Sequence, residues 1–167
     1  TQPTNELEAD YAKLRSLRGK IDLALMESTN ASKTGKAPSE TEIFANLENI
    51  IKDANGRVIV AAFSSLLTRL YALFEIAKKT NRKIVISGRS LQETISIATK
   101  QGYIKIPEGL VIKEKDIQKY SDNQLLILRT GSQGERFSSL NRISLNEHKY
   151  IKIKKGDLVI MSSSEIP

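Results

Sequence analysis

Four short apolar runs constrain this chain most, because each breaks without transition into hydroxyls or glycines. Val58 to Ala62 runs into Phe63-Ser64-Ser65, and Ile84-Val85-Ile86 runs into Ser87-Gly88-Arg89-Ser90. Leu125 to Leu128 runs into Arg129-Thr130-Gly131-Ser132-Gln133-Gly134-Glu135, and Val159-Ile160-Met161 into Ser162-Ser163-Ser164. Brief runs that are apolar at every residue, rather than at alternate ones, predict strands buried on both faces.

Amphipathic stretches fill the intervals. Ile43, Phe44, Leu47, Ile50 and Ile51 recur at helical spacing, as do Leu66, Leu67, Leu70, Leu73, Phe74 and Ala77, and then Leu91, Ile95 and Ala98. Strands alternating with such helices predict an α/β fold, a mostly parallel sheet with helices on both faces. Right-handed crossovers put the carboxyl ends of parallel strands on one edge, so the polar loops converge where α/β proteins hold ligands.

Helices are expected from Glu6 to Arg18, from Ser39 to Ala54, from about Ser65 to Lys79 and from about Leu91 to Lys100. Gly19 is a stop for the first, and Ser39 with Glu42 forms a capping box for the second. The pattern also predicts a short strand from Ile21 to Met26, another at Leu110 to Ile112, a helical turn at Asp116 to Tyr120 and a short helix from Phe137 to Leu145. Lys149 to Lys155 alternates lysine with isoleucine. It reads as a phosphate-tracking strip or, at least as well, as an edge strand protected by lysines.

At 167 residues the chain can bury one core, and without cysteine it has no disulfide framework. No apolar stretch approaches the roughly 20 residues of a membrane span. The chain reads as soluble and cytoplasmic. Its net charge of +7 favours a polyanionic partner, while 5% aromatic content without Trp argues against a surface built mainly of base-stacking platforms. The first residue is not Met, and Glu165-Ile166-Pro167 follows directly on a predicted strand, which points to a segment of a longer protein.

Loops of Gly and Ser before helix N-termini offer backbone N–H groups and the positive end of the helix dipole to phosphate or carboxylate. Arg89 adds a guanidinium suited to bidentate phosphate contact. Each loop taken alone reads as well as plain turn and cap chemistry. Neither Gly-x-Gly-x-x-Gly nor a Walker loop is present. His148 is the sole histidine and lies in polar Asn146-Glu147-His148-Lys149, which reads as surface, so catalysis within this chain is disfavoured.

In order and spacing, Leu25-Met26-Glu27-Ser28-Thr29-Asn30-Ala31, Ala37-Pro38-Ser39-Glu40, Gly56 to Ser65, Gly88-Arg89-Ser90, Gly102-Tyr103-Ile104, Thr130 to Glu135, Lys154-Lys155-Gly156-Asp157 and Ser162 to Pro167 resemble successive motifs of the β-CASP domain of ribonuclease J. The resemblance implies a Rossmann-like β-CASP domain over residues 27–167, with residues 1–26 closing a metallo-β-lactamase part. It implies a parent nuclease with two zinc ions, none of them bound by this chain alone. Single-stranded RNA would be clamped against that metal site, with the rest of the chain as partner, no membrane, and room for a homo-oligomer.

Residue by residue, the resemblance makes Glu27 a metal ligand and Glu40 an acidic residue that orients a histidine. Ser64, Ser65, Arg69, Gly88, Arg89, Ser90, Gly131, Ser132, Gln133, Gly134, Glu135, Ser162, Ser163 and Ser164 become candidates for RNA or phosphate contact. Two departures stand out. Glu27 replaces the family's Asp, moving the carboxylate by about one bond length, roughly 1.5 Å, which implies altered metal spacing or a weakened or inactive paralogue. Ser64 and Ser65 stand where the family tends to carry Asn and His. The alternative to the RNA clamp is a small α/β domain holding a nucleotide or sugar phosphate at the same rim.

Overall fold

The structure, a computed structural model, describes residues 10–25, 32, 34, 35, 38–131 and 138–163. Chain contacts divide it into two units, Thr1–Ile43 and Phe44–Pro167.

In the first unit, α1 spans Tyr11–Ser16 and is capped by the Asp10 carboxylate, which accepts from the Lys13 N–H at 2.8 Å. It is shorter than the expected helix. Leu17 to Gly19 turn away, and Gly19 takes the positive φ of 73° that suits glycine. The expected strand at Ile21 to Met26 does not form, since Ile21 to Leu25 are irregular and exposed. None of the described strands pairs with this run, so it has no ladder to join.

α2 spans Glu40–Asp53, starting in the first unit and continuing into the second. Its opening is the capping box that the sequence predicted. The Glu42 N–H donates to Ser39 Oγ at 3.2 Å, and the Ser39 N–H donates to Glu42 Oε2 at 2.7 Å. These bonds hold the Glu42 carboxyl below its ordinary range.

The second unit is an α/β layer. Strands β1 (Val58–Ala62), β2 (Lys83–Ser87), β3 (Val111–Ile112), β4 (Leu125–Arg129) and β5 (Leu158–Ser162) form one parallel sheet in the order β3-β2-β4-β1-β5. Helices α3 (Leu67–Lys79) and α4 (Arg89–Lys100) follow β1 and β2, and both pack on β2. A short 3-10 helix, Glu114–Lys119, precedes β4, and α5 (Ser139–Ser144) follows it.

Crossover direction sorts the layers. The chain moves one way along the sheet from β1 to β2 and β3, and the other way from β3 to β4 and from β4 to β5, so right-handed connections cover both faces. On one face Ile59, Val85, Leu125 and Ile127 form a core with Ile117, Ile143 and Ile151. The residues between them, Val58, Val60, Ile84, Leu126 and Leu128, are buried on the other face. The α/β class and the two covered faces are as the sequence predicted.

Lys149 to Lys155 is not a strand. Ile151 is fully buried in the core just named while Ile153 is exposed, so the two isoleucines do not share a face. The segment is held by its contacts with Arg57 and Asp157 instead. Arg57 donates to Asp157 through two bonds of 2.7 and 2.5 Å and to the Lys152 carbonyl at 2.7 Å, and the Lys154 N–H donates to Asp157 Oδ2 at 2.9 Å.

Candidate nucleic-acid interface

Strand register builds a polar rim. Ser87 of β2, Arg129 of β4, Ala61 of β1 and Met161 of β5 stand in one row across the sheet, and beyond it every strand leaves on the carboxyl edge. Ser64, Ser65, Gly88, Arg89, Ser90, Gly131, Ser162 and Ser163 therefore gather on that edge. Ser132, Gln133, Gly134, Glu135 and Ser164 lie outside the described residues, as does Glu27. Glu40 begins α2, within the first unit.

Two helices open onto this edge without a side-chain cap. α4 starts after Gly88, whose φ of 114° excludes most other residues, and α3 starts after Leu66, a poor N-cap type. Neither has an acidic residue in its first turn, whereas α2 fills its own N-terminus with Glu40 and Glu42. Among the described residues no side chain caps the positive ends of α3 and α4, where a helix favours an anion. Because β4 lies between β1 and β2, the two sites flank the loop after β4, about two strand spacings or roughly 10 Å apart.

The ends of that loop are fixed. The Leu140 N–H donates to the Thr130 carbonyl at 3.3 Å, and Ser138 Oγ caps α5 by accepting from the Asn141 N–H at 3.2 Å. Gly131 is buried at φ 113°, and a Cβ there would meet Ser138 Cβ at 2.7 Å and Leu140 Cβ at 3.0 Å. Only glycine lets the two ends come this close.

Two buried arginines brace the rim from beneath, one on each face of the sheet. Arg69 of α3 donates to Ser162 Oγ at 2.6 Å, tying the helix to the end of β5. Arg129 donates to Ser87 Oγ at 2.5 Å, and Ser87 Oγ donates to the Glu114 carboxylate. Burial lowers the Arg129 pKa to about 10, against the pull of Glu114, so the guanidinium still carries its charge at neutral pH.

His148 completes this cluster, which corrects its reading as a surface residue: its side chain is only 11% exposed. Nδ1 accepts from the Ile151 N–H at 3.1 Å and the Tyr150 N–H at 3.3 Å, so the neutral ring carries its proton on Nε2. Nε2 faces Ser87 Oγ at 3.5 Å and Glu114 Oε1 at 3.7 Å. Burial lowers the His148 pKa, and Arg129 and Arg142 add to that while Glu114 opposes it. A protonated Nε2 cannot take the Ser87 proton, so Ser87, His148 and Glu114 are not a hydrolytic triad. They are a brace for the end of β4.

The sequence did not reveal Ser87, Glu114 and Arg129 as a cluster. Its one signal was a charged residue at the end of the apolar run Leu125 to Leu128. Arg57, Arg69, Arg82 and Arg129 are all buried, so part of the basic charge is internal. Arg82 donates to the carbonyls of Gly56 at 2.9 Å and Leu125 at 3.2 Å, and also to that of Ala54. Arg89, at the start of α4, is exposed on the rim. Among the described residues no group of three or more His, Cys, Asp or Glu could hold a metal ion, and no helix is long and apolar enough to cross a membrane.

A family model for the ribonuclease J β-CASP domain matches residues 55–167. The chain belongs to that family. Ribonuclease J of Helicobacter pylori (strain ATCC 700392 / 26695) is 42% identical over 166 residues, which cover 99% of this chain and 24% of that protein. Ribonuclease J of a Synechocystis species is 42% identical over 143 residues, 86% of this chain and 22% of that protein. Ribonuclease J2 of Bacillus subtilis is 32% identical over 166 residues, 99% of this chain and 30% of that protein. This ribonuclease J β-CASP chain thus spans between a fifth and a third of the curated relatives it matches. Its all-parallel five-stranded sheet agrees with a Rossmann-like β-CASP domain.

Proposed function

We propose that this chain is the RNA-clamping region of a zinc-dependent ribonuclease. The carboxyl rim holds phosphates of single-stranded RNA while a metallo-β-lactamase part of the same protein cuts the phosphodiester. The observation that carries this reading is the pair of helix N-termini, α3 and α4, on either side of β4, which among the described residues have no side-chain cap and no acidic residue in their first turns. Arg89, exposed at the start of α4, supplies the charge, and Ser64, Ser65, Ser90 and Ser163 supply hydroxyls.

The chain's part in the chemistry is to bind and orient. His148 has its Nδ1 engaged by two backbone N–H groups. Zinc belongs, on this reading, to the metallo-β-lactamase part, with Glu27 as the ligand this chain would contribute. The parent works in the cytoplasm.

Fluorescence anisotropy with single-stranded oligoribonucleotides and with mononucleotides tests the proposal. Affinity that rises with RNA length, falls with salt and drops on Arg89→Ala supports the clamp. Equal affinity for a mononucleotide and for RNA contradicts it in favour of a nucleotide or sugar-phosphate site. Metal-dependent RNA hydrolysis by the chain alone contradicts the division of labour.

A further inference from the structure

Two clefts adjoin the 3-10 helix, one at the β2 end of the rim and one away from it. One, of about 540 Å³, lies by the carboxyl end of β2 and includes Ile86, Gln92, Ile112, Lys113, Glu114 and Lys115. The other, of about 500 Å³, lies toward the amino ends of β1 and β4, where Arg57, Tyr120, Leu125, Lys149 and Lys152 line it. Tyr150 lines both, so the clefts are consecutive and run from the rim toward the opposite edge.

The charges in them are unequal. Lys113, Lys115, Lys149 and Lys152 are exposed. The carboxylates are already engaged: Glu114 by Ser87, Asp122 by Lys154 at 2.6 Å, and Asp157 by Arg57. Lysines facing carboxylates that are already engaged present net positive charge to whatever enters. Tyr150 is 42% exposed at the junction, with Lys149 Nζ 5.1 Å from its ring centroid. An exposed aromatic ring flanked by lysines is the arrangement that stacks bases while holding phosphates without reading sequence.

We propose that these two clefts are a second track for single-stranded RNA, carrying it between the rim and the amino edge of the sheet, with Tyr150 stacking a base and Lys113, Lys115, Lys149 and Lys152 holding phosphates. This rests on the reading of the rim as an RNA site. It gives the lysine-rich segment a role that needs no strand. An RNA long enough to leave the rim gains contacts here that a short one lacks.

The test uses this chain with oligouridylates of about four and about twelve nucleotides. Tyr150→Ala should weaken the longer one roughly tenfold, and Tyr150→Phe should restore it, because stacking needs the ring and not the hydroxyl. Lys149→Ala with Lys152→Ala should lower the slope of log affinity against log salt by about 1.4, two phosphates' worth for a single strand. None of these should change affinity for the shorter RNA, whereas Arg89→Ala should weaken both. If Arg89→Ala weakens both RNAs while the cleft variants leave the longer one unchanged, the track is overturned and the rim stands. If only the cleft variants matter, the rim reading fails instead. If polyglutamate displaces the longer RNA as well as unlabelled RNA does, the clefts fit an acidic polypeptide and the RNA assignment is overturned.

Discussion

Arg129 donates to Ser87 Oγ at 2.5 Å across the adjoining strands β4 and β2, in the last register row before both strands leave the sheet. The bond puts a fully buried charge directly under the loop that begins at Thr130. Glu114 on one side and His148 on the other close the polar cluster around it. An arginine here spends its charge on holding the bases of two loops in place, so that on the proposed reading phosphates would be left to backbone N–H groups and Arg89.

Removing Arg129 should therefore cost far more than an exposed charge. Arg129→Ala leaves Glu114 without its buried counter-charge and opens a cavity, and urea denaturation should show a loss of about 3–5 kcal/mol. Arg129→Lys should not restore it, because one ammonium cannot reproduce the planar fork. A loss below about 1 kcal/mol would mean that the cluster does not support the rim.

His148 should make stability pH-dependent in a defined direction. Its folded pKa lies below the ordinary value of 6.5, so above that pH both states are neutral and the ring contributes no slope. As pH falls through 6.5 the unfolded state takes the proton first, and stability declines until the folded pKa is passed. The slope from one group is at most about 1.4 kcal/mol per pH unit. Thermal melts between neutral and mildly acidic pH should show this decline, and His148→Asn, which keeps an acceptor but does not titrate, should reduce it.

Gly131 should not tolerate a side chain. Gly131→Ala adds a Cβ inside van der Waals contact of Ser138 and Leu140 at a φ of 113°. The expected cost is about 1–3 kcal/mol from backbone strain alone, read by chemical denaturation, with weaker RNA binding because the loop ends can no longer meet. Unchanged stability and binding would show that the close approach is dispensable.

Arg57 and Asp157 should behave as one unit. Both side chains are nearly inaccessible, at 6% and 1%, and the pair anchors the segment that carries Lys152 and Lys154. Either single substitution to Ala should cost about 3–5 kcal/mol. In a double-mutant cycle the second loss should be much smaller than the first. Additive losses would rule the pair out as a coupled joint.

The strands at β1, β2 and β4 were legible because strands buried on both faces write themselves as unbroken apolar runs; the run of β5 also marked a strand, but at the sheet edge its Val159 and Met161 are exposed rather than buried as expected. So was the capping box of Ser39 and Glu42, which is wholly local. The irregular stretch Ile21 to Leu25 and the segment at Lys149 to Lys155 were not, since their local patterns suit a strand and only the absence of a ladder partner rules one out. His148 shows the same limit in the site. Its neighbours in sequence are polar, while the groups that bury it, Ser87 and Glu114, come from distant strand and helix ends. Convergence of the loops followed from the crossover rule, but the position of β4 between β1 and β2, which spaces the two helix N-termini, emerged only with the sheet order.

The measurement that tests the central claim most directly is a titration of this chain with single-stranded RNA, followed at backbone amide resonances. The account predicts the largest shifts at the openings of the two helices, Arg89 to Leu91 and Leu66 to Thr68, and little change at the capped first turn of α2. Shifts that avoid both openings while RNA is demonstrably bound would contradict it.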